Sequence, residues 1–415
     1  MIAKIISLIL SILQVFFSYV TFDNSLTVNE SKKNYPFVFV HGFFGWNPED
    51  GLDGKLSYWG CFAGDLLEYL DERGCECYES SCGCISSAWD RACEIYAQLT
   101  GTTVDYGKVH SQKYGHARYG KTYDKPLFEG WGKDKKINLI SHSFGGNTAR
   151  MFLHILSEGS KQELEATKDC TLSDFFKGGK RDYVYSLTTF AAPLNGTTIT
   201  DVMNTSRGSL LLSAVYELFA RAANTSINDL YTTDLEAWNL FDIKDKKPVL
   251  NFERFNTLIN SKDTGIYEMS LQGARDINEQ LKCYDDIYYY SYSTCCTTKI
   301  EGTNIYYPNE HCVVTRPLTL LMGTYTGKAI GGEIDIDESW LPNDGNVNTI
   351  SQLYPFDEKH KDFDKNNIEK GIWQVMPIIE GDHFVFMLGK ENDTDGGKFL
   401  SKLLVDLVNT IISTY

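Results

Sequence analysis

The stretch from Ile137 to Leu156 constrains this chain more than any other. Ile137-Asn-Leu-Ile-Ser141 is a short apolar run of the kind that forms a strand covered on both faces. It passes directly into His142-Ser143-Phe144-Gly145-Gly146, and from Asn147 to Leu156 the apolar residues return at helical spacing. A strand that turns abruptly into a helix pushes the residue at the turn outward, and small neighbours let the turn close. Ser143 holds that position. The usual pattern is G-x-S-x-G, and here Ser141 stands where the first Gly would be. A phosphate-cradling turn would want a Lys or a second well-spaced Gly ahead of the helix, and neither is present.

Other segments repeat the same rhythm. Pro36-Phe-Val-Phe-Val40 reads as a buried strand ending at His41-Gly42-Phe43-Phe44-Gly45, and a helix is predicted from Cys61 to Arg73. Tyr183 to Phe190 is β-rich and ends at Ala191-Ala192-Pro193. Strand, turn, helix, strand predicts a mostly parallel α/β sheet. Tyr288 to Thr326, rich in Tyr and Thr, predicts irregular β structure, and Lys398 to Ile412 a final helix. Thr198 to Asn228 carries Leu210, Leu211, Leu212, Val215, Leu218 and Phe219 at helical spacing and, taken alone, reads as a core helix.

With 415 residues, 42% of them hydrophobic, the chain can bury a large core. The formal charge of -16 argues against nucleic acid and anionic headgroups as partners, so any membrane contact would have to be apolar. Lys4 followed by an uncharged run from Ile5 to Phe17 reads as a signal peptide over about residues 1–20, with an uncleaved anchor as the rival. No later segment is long and apolar enough to span a bilayer. Export agrees with the 11 cysteines: Cys61, Cys75, Cys77, Cys82, Cys84 and Cys93 form one even cluster, Cys283, Cys295, Cys296 and Cys312 another, and Cys170 is left over. In an oxidising compartment this predicts two local disulfide staples. A thiolate metal site at Cys75-x-Cys77 and Cys82-x-Cys84 is the alternative. N-x-S/T sequons at Asn29, Asn195, Asn204, Asn224 and Asn392 are compatible with glycosylation.

A serine hydroxyl needs a base to attack an ester, and the base needs an orienting carboxylate. On this kind of scaffold the chain order is nucleophile, acid, base. His383 follows an apolar run in Glu380-Gly-Asp-His-Phe384; His360 sits among charged residues and reads as surface, and His311 lies within the second cysteine cluster. Asp344, on the Asn-Asp-Gly turn of Leu341-Pro-Asn-Asp-Gly345, is the best acid, because such a turn offers backbone donors. Asp382 is the alternative, but adjacency to His383 points the two side chains apart. Backbone N–H groups of Phe43 and Phe144 are the candidate oxyanion donors. Asp90, His110 and His116 are types that suit zinc, although from spacing alone surface histidines would be the better reading.

Taken together, Val40-His-Gly-Phe-Phe-Gly-Trp46, Tyr58-Trp-Gly60, Trp89-Asp-Arg-Ala-Cys-Glu94, Val104-Asp-Tyr-Gly107, Gly115-His-Ala-Arg118, Ser141 to Arg150, Thr188-Thr-Phe-Ala-Ala-Pro193 and Trp340 to Thr349 resemble the bacterial triacylglycerol lipases of the staphylococcal and thermoalkalophilic type. The likeness runs from about Pro36 to about Gly389. It implies an α/β-hydrolase fold over residues 21–415, with an extra zinc-binding subdomain at about 80–130 and 260–300 and a helical lid at about 198–228. It implies a triad of Ser143, Asp344 and His383, an oxyanion hole at Phe43 and Phe144, and structural zinc held by Asp90, His110, His116 and, by alignment, Glu268. The family's calcium site is not expected here, because Val385 stands where it has Glu, leaving Gly323 with only a backbone carbonyl to offer. The implied activity is hydrolysis of acylglycerol esters at an oil–water interface, outside the cell or in the lumen of the secretory or lysosomal pathway. A phospholipase or short-chain carboxylesterase on the same triad is the near alternative, and a non-catalytic binding protein on the same scaffold the distant one.

Overall fold

The computed structural model describes residues 21–31, 33–46, 56–168, 171–203, 238, 241–244, 247–390 and 398–415. Seven strands form the central sheet: β1 (Phe37–Val40), β2 (Cys77–Ser80), β3 (Ile137–His142), β4 (Val184–Phe190), β5 (Tyr288–Tyr292), β6 (His360–Asp362) and β7 (Trp373–Val375). Their spatial order is β6-β7-β5-β4-β3-β1-β2, and every neighbouring pair is parallel. A parallel sheet of this kind is covered on both faces, so its central strands cannot afford a polar side. β1, β3 and β4 are buried along their whole length.

The alternation of side chains divides the core in two. Val38 and Val40 of β1, with Leu139 and Leu187, face α1 (Ala88–Thr100) and α3 (Gly145–Glu158) through Ala92, Ile95, Phe152 and Leu156. Phe37 and Phe39, with Ile140 and Phe190, face α4 (Phe399–Ile412) through Leu400, Leu404 and Leu407. Between α1 and α3 in sequence lies α2 (Lys108–Tyr114), outside the sheet layers. No helix of the described residues is long and apolar enough to cross a membrane.

Several expectations change. The helix predicted from Cys61 to Arg73 is a 3-10 turn at Cys61–Ala63 and a separate helix at Leu66–Asp71, parted at Gly64 with φ 117°. Tyr288 to Tyr292 is no irregular segment but a central strand between β4 and β7, buried from Tyr289 onward. Its Tyr-Tyr-Tyr-Ser-Tyr sequence hides this, because aromatic hydroxyls read as polar although the rings pack in the core. The two predicted disulfide staples are not seen: no disulfide joins the ten described cysteines to one another, and Cys170 lies outside the described residues. The sheet separates members of the first cluster. Cys61, Cys75 and Cys77 pack on the α4 side, whereas Cys82, Cys84 and Cys93 pack on the other, each serving as a small apolar filler. Of the apolar stretch from Thr198 to Asn228, only Thr198 to Met203 is described, with a short helix at Ile199–Met203; the rest lies outside the described residues.

Candidate active site and metal cluster

Ser143 stands where β3 turns into α3. Its φ of 55° lies in the left-handed region, a strained conformation for a residue with a Cβ. The turn is fixed by the Ser143 N–H, which donates to the Phe190 carbonyl at 2.8 Å. A Cβ on Gly145 would come within 2.4 Å of the Val40 carbonyl, and one on Gly42 within 2.7 Å of the Ser143 Cβ, so both positions need glycine. Ser141, the departure from the usual motif, is accommodated because its hydroxyl donates to the Thr188 carbonyl at 2.7 Å.

The structure brings Ser143, His383 and Asp344 together across 240 residues of sequence. His383 Nε2 lies 2.9 Å from Ser143 Oγ, and its Nδ1 lies 2.8 Å from Asp344 Oδ2. All three are buried. The carboxylate that faces the ring is held from several directions. Asp344 Oδ1 accepts the Asn346 and Val347 N–H groups, and Oδ2 accepts the Thr294 hydroxyl and the Gln352 amide. Asp382 turns away from the ring. It accepts N–H groups from Val313, Val314 and Phe384, and burial pushes its carboxyl above the usual range. His360 is exposed and stacks on Tyr354, and His311 lies 3.4 Å from the Glu380 carboxylate.

The turn after β1 presses on this elbow. The Phe43 ring meets the fully buried Phe144 ring edge-on at 6.3 Å, and among the described residues neither backbone N–H donates to an acceptor. Arg91 of α1 reaches the same turn. Its guanidinium donates to the His41 and Gly42 carbonyls and lies over the Phe144 ring at 5.4 Å. Arg91 is a site residue that its motif did not single out.

A second constellation lies at the start of α1. Ser87 caps that helix by accepting the Asp90 N–H, and Asp90 points at His110 of α2 and at His116. Asp90, His110, His116 and Asp263 each offer an atom, all within 4.8 Å of one another, and so could hold a metal ion. Glu268, the fourth ligand expected from the resemblance, is not in this group. Its carboxylate instead accepts the Ala88 N–H at 2.6 Å, and burial pushes it well above the usual carboxyl range. Asp263 precedes the short helix Gly265–Glu268, whose N-cap is Thr264, so a carboxylate just ahead of a capping Thr was the signal available in the sequence. Glu268 lies beyond that helix start, against the first turn of α1.

Within the cluster His110 Nε2 is 3.2 Å from Asp90 Oδ1 and 3.1 Å from Asp263, and His116 Nε2 is 3.2 Å from Asp263. Burial opposes charge on His110, but the hydrogen bonds and charges of Asp263 and Asp90 outweigh it and lift its pKa to about 10. Asp90 is raised by burial and by the negative charge of Asp263. Asp90 Oδ1 and His116 Nε2 are buried and, beyond these ion-pair contacts, make no well-formed hydrogen bond. The rings are well braced: Trp89 stacks on His110 at 5.0 Å, and His116 Nδ1 lies 2.9 Å from the Ala117 carbonyl, which leaves Nε2 to face the carboxylates.

Comparison with known proteins covers nearly the whole chain. The model of a family described as "Lipase-like, C-terminal domain" matches residues 33–414. A Staphylococcus hyicus lipase is 35% identical over 374 residues, which are 88% of this chain and 55% of that protein. The chain thus spans about half the length of the curated relatives it matches. The crystal structure of Staphylococcus hyicus lipase superposes with a TM-score of 0.79 at 31% identity, covering 94% of this chain and 99% of that one. EstA from Clostridium botulinum gives the same TM-score of 0.79 at 30% identity, with 97% of each chain covered.

Proposed function

Because the chain belongs to the family of the lipase-like, C-terminal domain, we propose that it hydrolyses carboxylic esters of acylglycerols through an acyl-enzyme on Ser143. The observation that carries this reading is the continuous line from Ser143 Oγ through His383 to Asp344. His383 Nε2 takes the serine proton as Oγ attacks the ester carbonyl, and Asp344 stabilises the imidazolium that results. The Phe43 and Phe144 N–H groups take the negative charge of the tetrahedral intermediate. His383 then protonates the leaving alcohol, and water, deprotonated by the same imidazole, releases the fatty acid. Ser143→Ala should abolish ester turnover; retention of turnover would sink the reading. A series of glycerides and phospholipids of rising chain length separates a glyceride lipase from a phospholipase or short-chain esterase by which class turns over fastest.

The cluster at Asp90, His110, His116 and Asp263 is proposed as a structural zinc site. Two imidazoles and two carboxylates suit zinc, and tetrahedral bonds of about 2.0–2.1 Å put ligand atoms roughly 3.3 Å apart. Three separations of 3.1 to 3.2 Å support this, with His116 and Asp90 standing 4.0 Å apart, as does the lack of well-formed hydrogen bonds at Asp90 Oδ1 and His116 Nε2. A bound divalent cation would supply the positive charge that otherwise only protons on His110 and His116 offer the two adjacent buried carboxylates. It would join α1, α2 and the segment before Gly265 into one unit. We further propose that the protein acts outside the cytoplasm and meets its substrate at an oil–water interface through apolar rather than charged contact. The signal-like N-terminus and the net charge of -16 support that reading.

A further inference from the structure

His142, the residue before the nucleophile, is buried among Tyr58, Trp59, His383 and Phe386 and takes no part in the proton transfers above. Its two ring nitrogens are both engaged. Nε2 lies 3.0 Å from the backbone carbonyl of His383, and Nδ1 lies 2.7 Å from the Tyr58 hydroxyl. The Tyr58 oxygen accepts the Gly42 N–H at 2.9 Å. The chemistry of these groups fixes every proton. A carbonyl only accepts, so His142 Nε2 must carry the hydrogen and Nδ1 must be the acceptor. Tyr58 therefore donates to Nδ1, which leaves its oxygen free to accept from Gly42. The line runs one way, from the Gly42 N–H through Tyr58 and His142 to the His383 carbonyl, and Tyr58 and His142 are buried from competing water.

Its two ends are the two moving parts of the reaction. Gly42 begins the turn that carries the Phe43 N–H, and the His383 backbone sets where the base stands. Both are anchored to the side chain that immediately precedes Ser143. We propose that Tyr58 and His142 are positioning residues for ester hydrolysis, holding the oxyanion turn and the base at fixed places on either side of the nucleophile. The proposal rests on the reading of Ser143 as nucleophile. Burial, and then the charge that His383 gains in the reaction, hold the His142 imidazole well below its ordinary range. It therefore stays neutral while its neighbour is protonated, and the line keeps its direction through the cycle. Misplacement of a donor or base by about 1 Å can cost on the order of 100-fold in rate.

The test compares Tyr58→Phe, His142→Gln and the double variant on a soluble p-nitrophenyl butyrate. Active sites are counted by titration with a p-nitrophenyl phosphonate, so that misfolded protein does not enter kcat. Each single variant should lower kcat about tenfold with KM within twofold, and the double variant should fall no more than threefold below the weaker single, because both cut one line. Wild-type kcat per titrated site in either single variant, or losses that multiply in the double, overturns the proposal. Should a variant yield no titratable sites, imidazole nitrogen NMR of the wild-type protein decides. His142 must be the neutral Nε2–H tautomer at pH 7, and an Nδ1–H tautomer or a charged ring overturns the line. Ser143→Ala keeps the two readings apart: turnover there fails the nucleophile itself, whereas its loss with unaltered Tyr58 and His142 variants fails only the positioning.

Discussion

The triad and the four-residue cluster are built from the same residue types, yet they are complete to different degrees. In the triad every polar atom has a partner: the Asp344 carboxylate accepts four donors besides His383, and both His383 nitrogens are engaged. In the cluster Asp90 Oδ1 and His116 Nε2 have only ion-pair contacts with the other members and no well-formed hydrogen bond, and among the described residues neither Asp90 nor Asp263 pairs with a Lys or Arg. Burying two carboxylates side by side is costly unless a positive charge joins them. On the proposed reading one constellation exchanges a proton with a substrate, and the other holds a cation in place of the protons on its histidines. The two also touch. Arg91 follows Asp90 in sequence and holds the turn at His41 and Gly42, and Gly265, two residues after Asp263, packs against the Phe43 and Phe144 rings.

The largest expected effect breaks the comparison on the triad side. Ser143→Ala should reduce kcat on a soluble ester by about 10⁴-fold or more while leaving the thermal midpoint and metal content as they are. Asp344→Asn should lose about 10⁴-fold with the fold intact, because the amide fixes the wrong imidazole tautomer. Either rate, measured against an unaltered melting curve, checks the assignment.

On the cluster side, elemental analysis after extensive dialysis discriminates between the two acids. Asp263→Ala should strip the zinc, with an affinity loss exceeding the roughly 10–100-fold that removing an outer-shell partner costs. Glu268→Gln should keep it. Full zinc in Asp263→Ala with loss in Glu268→Gln would restore the alignment-based ligand. A strong chelator should lower the thermal midpoint by several degrees, since removing a bound ion removes folding free energy, and adding back zinc, but not calcium, should restore it.

A smaller effect concerns acid. His41 is held neutral by burial and then by the Arg91 charge, down to a pKa of about 3. Because its folded pKa is depressed, the unfolded chain binds the extra proton first. Stability from this residue is full above about pH 6.5 and falls by about 1.4 kcal/mol per pH unit between roughly 6.5 and 3. His142, lowered in the same direction, adds to the slope. An NMR titration of the His41 imidazole measures its pKa, and a ring that protonates above about pH 6 would contradict a neutral buried His41. The smallest change is Ser141→Gly, which restores the usual elbow motif and loses one buried hydrogen bond to Thr188, at about 1 kcal/mol.

How much of this was legible varies by element. β1, β3 and β4 were readable because continuous apolar runs ending in small residues have few other uses. β5 was misread, since its tyrosines look polar although their rings are buried in the core. The cysteine clusters misled for a different reason: proximity in sequence says nothing about which face of a sheet a side chain takes, and a period of two sends neighbours apart. At the site, Ser143 was legible from its motif, and the chain order reduced the acid and base to very few candidates. Asp263 was not, because a metal ligand requires only that one oxygen arrive at a point, and Glu268 a helical turn away fits the same residue-type rule.

The sequence by itself determined the elbow and its serine, the parallel character of the sheet and the chain order of Ser143, Asp344 and His383. These depend on local sterics and on periodicity, which are written residue by residue. Only the tertiary structure decided that Asp344 rather than Asp382 meets His383, that Asp263 rather than Glu268 joins the cluster, and that His142 links the His383 carbonyl to Tyr58 and Gly42. Each of those choices depends on where a side chain atom ends up relative to partners far away in sequence, and only packing across the sheet fixes that distance.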